Sequence, residues 1–289
     1  MRRFLVLAVA FVVTLGVAMF AGTNIINALE RQSYTATYSV QVGTMTRSYR
    51  LIAPVAALPK SAPIMVVLSG IAVGLDDEIT RDRLVPYVNA GLTELIYPVP
   101  YQESWNAGGC CGVAAAAHVD DVAFLKALVA RVDPDRAHPI YVIGYSNGGR
   151  LAYRIACDDP GLFDATAVVK AMPMPDCVVT RPQTIMQIAS LDDTAVPFAA
   201  GDKGKESPPA TVEVARLRAA DGCTGSSPPV PHAAMTMTTW TGCTSGQRVG
   251  FAVWDTGGHN FPPPKGGTPG AAEIIWSFFN NTALAPAPR

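Results

Sequence analysis

Residues 140–150 constrain the fold of this chain more than any other stretch. They read Ile-Tyr-Val-Ile-Gly-Tyr-Ser-Asn-Gly-Gly-Arg, and an apolar pattern with helical spacing follows. The pattern G-x-S-x-G between a strand and a helix is typical of a sharp turn that lifts a serine hydroxyl clear of a sheet. Glycine at 144 and 148 removes the Cβ atoms that would clash in such a turn. We therefore predict that Ser146 is a nucleophile.

The composition fits a globular α/β protein and gives no sign of a nucleic-acid partner. The chain has 289 residues, of which 49% are hydrophobic and 16% charged, with a formal net charge of -1. This length suits one large domain or two small ones. A near-neutral chain lacks the basic surface that nucleic acid requires, so we expect none to bind.

The N-terminus has the pattern of an export segment. Arg2 and Arg3 precede an uncharged, mostly apolar run over residues 4–21, as in a signal peptide or a retained signal anchor. We assign residues 1–30 to this segment and leave its cleavage open. The positive-inside rule puts the rest of the chain outside the membrane. The expected location is secreted or extracytoplasmic, with membrane contact only through this segment.

The cysteines point to the same compartment. Their number is even, which in an exported chain predicts disulfides, and no C-x-x-C pair or histidine at zinc spacing predicts a metal. Cys223 and Cys243 flank one proline- and serine-rich loop and are predicted to pair. Adjacent cysteines bond each other with difficulty. We therefore expect Cys110 and Cys111 to bond Cys157 and Cys177, in an order left open.

Predicted strands and helices alternate along the chain. Residues 33–42 and 44–54 alternate polar and apolar side chains, which indicates an antiparallel hairpin. Further strands are predicted over 64–68, 94–99, 140–144, 165–170, 184–189, 235–240 and 248–253, and helices over 78–90, 121–132, 147–156, 211–220 and 270–280. This order predicts an α/β fold with a mostly parallel central sheet covered by helices on both faces. We assign residues 31–281 to one domain and expect the Ala- and Pro-rich tail, 282–289, to be disordered.

A serine nucleophile needs a base and an acid, which in this kind of sheet follow it in the order acid, then histidine. His259 lies in a glycine-containing loop directly after a predicted strand, whereas His232 lies in a proline-rich loop. We predict that His259 is the base. Asp193 follows another predicted strand and is the preferred acid, with Asp192 second and Asp255 a less favoured candidate. All three predicted side chains would meet at the carboxyl edge of the sheet.

An ester carbonyl attacked by Ser146 becomes an oxyanion, which needs two N–H donors. The amide of Asn147, directly after the nucleophile, is one expected donor. The other should come from the loop after strand 64–68, and we predict the amide of Ile71.

These residues together resemble the secreted polyhydroxybutyrate depolymerase and feruloyl esterase group, carbohydrate esterase family one. The resemblance runs from about residue 33 to 261, and its most specific part is Ser-Trp-Asn-Ala-Gly-Gly-Cys-Cys-Gly over 104–112. It implies a serine esterase of the α/β-hydrolase fold, without metal or other cofactor, acting on polyesters or on acyl groups of plant polysaccharide. Trp105 and Tyr145 are assigned to the substrate pocket, and a structural role for Trp105 beside the cysteine pair is equally open.

The chain departs from the family pattern at Ser69, at residues 189–191 and at Asn260, which leaves the ester substrate open. A non-catalytic binding protein of the cell envelope and a serine peptidase are the alternative functions, since a fold does not dictate its function. The oligomeric state is also left open.

Overall fold

The apolar runs of the sequence form the inner strands of one mixed sheet. A computed structural model describes residues 33–199 and 207–288. The strands are β1 (Ser33–Val42), β2 (Met45–Pro54), β3 (Ile64–Leu68), β4 (Glu94–Pro98), β5 (Ile140–Tyr145), β6 (Ala165–Val169), β7 (Thr184–Ser190), β8 (Gly225–Ser226), β9 (Val230–His232), β10 (Met235–Thr241) and β11 (Val249–Trp254). The helices are α1 (Leu75–Asp82), α2 (Val85–Asn89), α3 (Gly112–Ala116), α4 (Asp121–Val132), α5 (Asn147–Asp158), α6 (Ala210–Ala220) and α7 (Ala271–Asn280).

The strand order confirms the predicted α/β fold with a mostly parallel sheet. It runs β1-β2-β4-β3-β5-β6-β7-β11-β10-β8, with β9 paired to β10. Within this order, the six strands β4, β3, β5, β6, β7 and β11 run parallel to one another. The N-terminal hairpin β1–β2 and the strands around β10 add antiparallel edges. The carboxyl ends of β3, β5, β7 and β11 therefore lie along one inner edge of the sheet.

An apolar core covers each face of the sheet. Strand β3 contributes side chains to both cores, which explains why its sequence is apolar throughout. Val66 and Leu68 pack with Phe124 of α4 and Leu151 of α5, while Met65 and its neighbours on the opposite face pack with α2 and α7. Every side chain of β3 is buried, as expected for a strand with a helical layer on each side.

The turn from β5 into α5 brings two stretches of backbone unusually close. A Cβ atom at Gly148 would lie 2.3 Å from the carbonyl oxygen of Leu68, and one at Gly144 would lie 2.3 Å from that of Gly148. No side chain fits at either position. The two glycines let the first turn of α5 rest directly on the end of β3.

The sequence predicts one helix over 78–90, but the structure has two. Arg83 adopts a left-handed conformation, with φ of 58°, and ends α1. The buried carboxylate of Asp82 accepts a hydrogen bond from the amide of Leu84 at 2.9 Å, and Pro86 lies in the first turn of α2. The buried acidic side chain of Asp82 thus lies at the end of α1, and Pro86 lies at the start of α2.

The tail also differs from its prediction. Leu284 and Ala287 pack against the second core, and the amide of Ala287 donates to the carboxylate of Glu273 at 3.1 Å. The predicted export segment lies outside the described residues. Within the described ranges, no helix has the length and apolarity needed to cross a membrane.

The disulfides correct part of the predicted pairing. Cys223 pairs with Cys243 as predicted. The other two bonds join Cys157 to Cys177 and join the adjacent residues Cys110 and Cys111 to each other. The predicted cross-pairing is wrong because the end of α5 lies beside the loop that follows β6, which places Cys157 against Cys177. The expectation that neighbouring cysteines avoid each other does not hold here.

Three acidic side chains are buried with few partners. Burial raises the pKa of Glu78 to about 7, with Arg81 opposing the shift, and both carboxyl oxygens of Glu78 lack a partner at full hydrogen-bond geometry within the described chain. Burial likewise raises the pKa of Glu213 and of Asp221 to about 7. Ionising these groups in the folded state is costly because each loses water without gaining a full set of donors.

Gly148→Ala should lower the free energy of unfolding by at least about 2 kcal/mol, because the new Cβ would press on the backbone of β3. Alanine favours a helix over glycine by about 1 kcal/mol, so propensity alone predicts the opposite sign. Gly161→Ala is the matched control, since nothing lies within 4 Å of its Cβ position. Urea unfolding followed by circular dichroism measures both. Equal stability of the two variants would contradict the close contact.

The free energy of unfolding should fall as pH rises from about 4.5 to about 7.5. A carboxyl whose folded pKa is raised to about 7 favours folding below its ordinary pKa of 4.5 and loses that advantage as pH rises through the folded value. Glu78→Gln should therefore gain up to about 3 kcal/mol relative to the parent protein between pH 4.5 and pH 8. The exposed Glu103, changed to glutamine, is the control. A pH-independent difference between Glu78→Gln and the parent would contradict the raised pKa.

Candidate functional site

Three of the predicted site residues come together at the carboxyl edge of the sheet. Ser146 follows β5, Asp193 follows β7 and His259 follows β11. Strands β5 and β7 flank β6, and β11 pairs with β7. Residues far apart in the chain thus meet because their strands are close neighbours in the parallel part of the sheet.

The three side chains form one hydrogen-bonded chain. Nε2 of His259 lies 2.9 Å from Oγ of Ser146, and Nδ1 of His259 lies 2.9 Å from Oδ2 of Asp193. With its proton on Nδ1, the imidazole donates to Asp193 and can accept the Ser146 proton on Nε2. The Asp193 side chain is 1% exposed and that of His259 is 24% exposed, so the acid is enclosed while the imidazole reaches the surface.

The carboxylate of Asp193 is held ionised. Burial alone would raise its pKa, but hydrogen bonds from His259 and from the amides of Val196 and Ala195 outweigh burial and lower the pKa below its ordinary value. The two amides bind Oδ1, each at 2.9 Å, which leaves Oδ2 for the imidazole. A buried carboxylate with both oxygens occupied keeps its charge and its orientation.

Asp192, the second candidate acid, has a different partner. Its carboxylate accepts the amides of Gly257 and Gly258 at 3.0 and 2.8 Å, and these bonds, that from Gly258 first, lower its pKa. Asp192 thus caps the turn that carries His259. Asp255 lies exposed on that turn, and His232 lies in β9 at the edge of the sheet.

The turn at Ser146 has the conformation expected of a nucleophile elbow. Ser146 has φ of 52° and ψ of −117°, an unusual region for a residue with a side chain. Its amide donates to the carbonyl of Val169 at 2.9 Å, which fixes the turn against β6. Asn147 is the first residue of α5, where a helix leaves its N–H groups without internal acceptors. The positive end of α5 therefore faces the Ser146 hydroxyl.

Trp105 is a structural residue, which corrects its assignment to the substrate pocket. The side chain is fully buried, stacks near Phe124 and donates from Nε1 to the carbonyl of Ser69 at 3.0 Å. Its backbone amide donates to Oδ1 of Asn147 at 2.7 Å, and its carbonyl accepts from Nδ2 of Asn147 at 3.1 Å. One residue therefore connects the elbow to the loop after β3.

The loop after β3 lies between these contacts and α1. The amide of Ala72 donates to the carbonyl of Glu103 at 2.9 Å, and the Gly70 amide is close enough to Glu78 to lower the pKa of that carboxyl. Ile71 lies between the two and is 42% exposed. Its position beside the elbow, on a loop held from both sides, is compatible with the predicted donor role.

Tyr145 is also buried, at 5% exposure, and contacts His259 rather than open space. Its hydroxyl donates to the backbone carbonyl of His259 at 2.6 Å, and the two rings lie 5.6 Å apart. Tyr145 thus positions the backbone of His259, and its assignment to substrate binding stays a prediction. Phe261, which follows the histidine turn, packs against the same tyrosine ring at 6.3 Å.

Sequence reasoning misses a buried cation near the acid. Lys170 follows β6, is 1% exposed and donates from Nζ to Oγ of Ser190. Burial lowers its pKa to about 8, while the charges of Asp193 and Asp192 oppose that shift. A lysine directly after an apolar strand is the signal that could identify it. Ser190 belongs to the stretch where the chain departs from the family pattern.

Among the described residues, no set of three or more histidine, cysteine, aspartate or glutamate side chains is arranged to bind a metal ion. The hydrogen-bonded chain itself consists of one alcohol, one imidazole and one carboxylate.

Sequence comparison finds esterases among the relatives of this chain. It is 32% identical over 200 residues to "Putative esterase NocK" of Nocardia uniformis subsp. tsuyamanensis, covering 63% of this chain and 57% of that protein. It is 27% identical over 198 residues to "Probable feruloyl esterase C" of Aspergillus clavatus, covering 65% of this chain and 64% of that protein. The chain thus spans about three fifths of the length of these relatives. No family model matches it.

Structural comparison agrees on the fold. Acetyl xylan esterase from Aspergillus awamori matches with a TM-score of 0.55 at 13% identity, covering 85% of this chain and 99% of that one. The putative dienelactone hydrolase of Klebsiella pneumoniae matches with a TM-score of 0.52 at 14% identity, covering 86% and 98%. The chain therefore has the α/β-hydrolase fold of these proteins, and its sequence relatives carry the names of esterases.

Proposed function

We propose that this chain is an exported serine esterase that hydrolyses carboxylic esters through Ser146, His259 and Asp193. The observation that carries the proposal is the hydrogen-bonded chain from the Ser146 hydroxyl through the imidazole to the buried carboxylate. A serine hydroxyl is a weak nucleophile by itself, and a base at hydrogen-bond distance with an orienting acid behind it is the arrangement that activates it.

The reaction proceeds in two halves. Oγ of Ser146 attacks the ester carbonyl carbon while Nε2 of His259 takes the hydroxyl proton. The tetrahedral intermediate collapses, the alcohol leaves with the proton from His259, and an acyl-Ser146 ester remains. Water then attacks that ester with His259 again as base, which releases the carboxylic acid and restores the serine. Asp193 orients the imidazole and stabilises its cation without taking the proton.

The oxyanion is proposed to bind the amides of Asn147 and Ile71. The Asn147 amide lies at the first turn of α5, where helix geometry favours negative charge. The Ile71 loop is held near the elbow through the contact of Trp105 with Ser69. Donors fixed in this way stabilise the developing charge without having to reorganise during the reaction.

The substrate class follows from the relatives only as a proposal. The sequence relative named "Probable feruloyl esterase C" supports a feruloyl-type ester, and the resemblance noted in the sequence adds polyhydroxyalkanoates. Three disulfides in the described chain fit an oxidising compartment, which supports the proposed export.

Ser146→Ala should lower kcat on p-nitrophenyl butyrate by about 10⁴-fold or more, because the nucleophile is removed. Circular dichroism establishes that the variant folds, and Ser39→Ala, at an exposed position on β1, is the serine control. Activity that survives Ser146→Ala would exclude the assigned nucleophile. A fluorophosphonate probe that fails to label the folded parent protein would favour the binding-protein alternative, and faster cleavage of peptides than of esters would favour the peptidase.

Substitution of the two adjacent aspartates should lower activity to different extents. Asp193→Asn should lower kcat by about 10⁴-fold, because its amide oxygen would take the place of Oδ1, which accepts two backbone amides. Its NH2 group would then donate to Nδ1, and the imidazole would lose its working tautomer. Asp192→Asn should cost about tenfold or less, since it only weakens the cap of the histidine turn. Steady-state kinetics on the same ester compares the two variants. Equal losses would contradict the assignment of the acid.

A further inference from the structure

A groove of about 870 Å³ opens beside the histidine turn. The end of α1 forms one wall, and Gly257, Asn260 and Phe261, which lie on both sides of His259 in the chain, form part of the other. Trp254 and Phe261 contribute buried aromatic surface, at 4% and 3% exposure. The groove is therefore a partly apolar cleft beside the turn that carries His259.

The charged side chains that line this groove are all cations. Arg81, Arg83 and Lys265 contribute to its wall, and none of the described residues that line it is acidic. Arg83 and Lys265 are exposed and have no carboxylate within ion-pair distance among the described residues. They come from two separate segments, so their convergence does not follow from a single basic run in the sequence.

The acidic groups near the groove do not pair with Arg83 or Lys265. Glu78 lies 3.9 Å from Arg81 and is buried, which raises its pKa to about 7. Asp192 uses both carboxylate oxygens to accept the amides of Gly257 and Gly258 and does not line the groove. A cleft with cations on its walls and aromatic surface beneath them attracts an anion that carries an apolar chain.

The groove is also connected to the reaction site through its own wall. The guanidinium of Arg81 lies over the ring of Tyr145, at 5.1 Å from the centroid, and the hydroxyl of Tyr145 holds the carbonyl of His259. Arg81, which lines the groove, thus contacts the tyrosine that holds the backbone of His259.

We propose that this groove is a subsite for the carboxylate end of an ester substrate, bound by Arg83 and Lys265 while the ester carbonyl lies at Ser146. The inference rests on the proposed esterase function and names the substrate class within it: esters that carry a free carboxylate several bonds from the carbonyl that is attacked. Arg83 offers a planar pair of donors that suits a carboxylate, and Lys265 offers a mobile point charge on the other wall.

The test compares two esters on matched variants. Mono-p-nitrophenyl glutarate has an acyl chain that ends in a carboxylate, and p-nitrophenyl butyrate is its neutral counterpart. The double variant Arg83→Gln and Lys265→Gln should lower kcat/KM for the glutarate ester about tenfold, mainly through KM, and leave the butyrate ester within about twofold. Lys60→Gln with Arg131→Gln removes the same charge from exposed positions outside the groove and should change neither value. Equal effects of the first variant on both esters would overturn the subsite.

A binding measurement separates this inference from the esterase proposal. Ser146→Ala protein, titrated with the glutarate ester by calorimetry, should bind it about tenfold more tightly than the same protein with Arg83→Gln and Lys265→Gln, and the difference should shrink in high salt. Binding that these two substitutions leave unchanged overturns the subsite even if the parent cleaves esters. Binding that weakens as expected, in a chain whose parent form cleaves neither ester, sustains the subsite and refutes the esterase.

Discussion

The contact between the first turn of α5 and the end of β3 is the constraint on which the site depends. Gly148 lies so close to the carbonyl of Leu68 that any side chain there would meet backbone. This contact sets the direction in which the chain leaves β5, and it puts Ser146 and the amide of Asn147 directly beside the loop that follows β3. The strained backbone of Ser146, with φ of 52°, is maintained because the packing on both sides leaves no alternative path.

The loop that contains Trp105 reinforces the same junction. Asn147 and Ser69 belong to the two segments that are proposed to supply oxyanion donors, and Trp105 binds both of them. Next to this loop, Arg47 forms a buried ion pair with Asp121 at 2.8 Å. This pair fixes the start of α4. The motif over residues 104–112 thus contributes rigidity to the site, and its Trp105 is too deeply buried to contact a substrate.

The sequence predicts the strands of the sheet and the three side chains at its edge because periodicity and glycine placement encode them directly. The apolar run of β3 predicts a strand buried on both faces, and the G-x-S-x-G pattern predicts a sharp turn between a strand and a helix. The structure has both features. What the sequence cannot provide is proximity between distant segments. Cys157 lies beside Cys177 only because of how α5 packs, and the inward turn of Asp82 that divides α1 from α2 depends on its burial. Lys170 and the partners of Asp192 are likewise consequences of tertiary packing.

The attachment of His259 has a mechanical consequence. Its backbone is tied to β5 by the Tyr145 hydroxyl, and the turn that carries it is tied to the β7 loop by Asp192. His259 is thus tied to β5, which ends directly before Ser146, and to the loop that contains Asp193. These two attachments restrain the distances from His259 to both residues. The freedom that remains to the imidazole is small rotation about its own side-chain bonds. The proposed reaction, in which the imidazole passes a proton from one oxygen to another, requires little more movement than that.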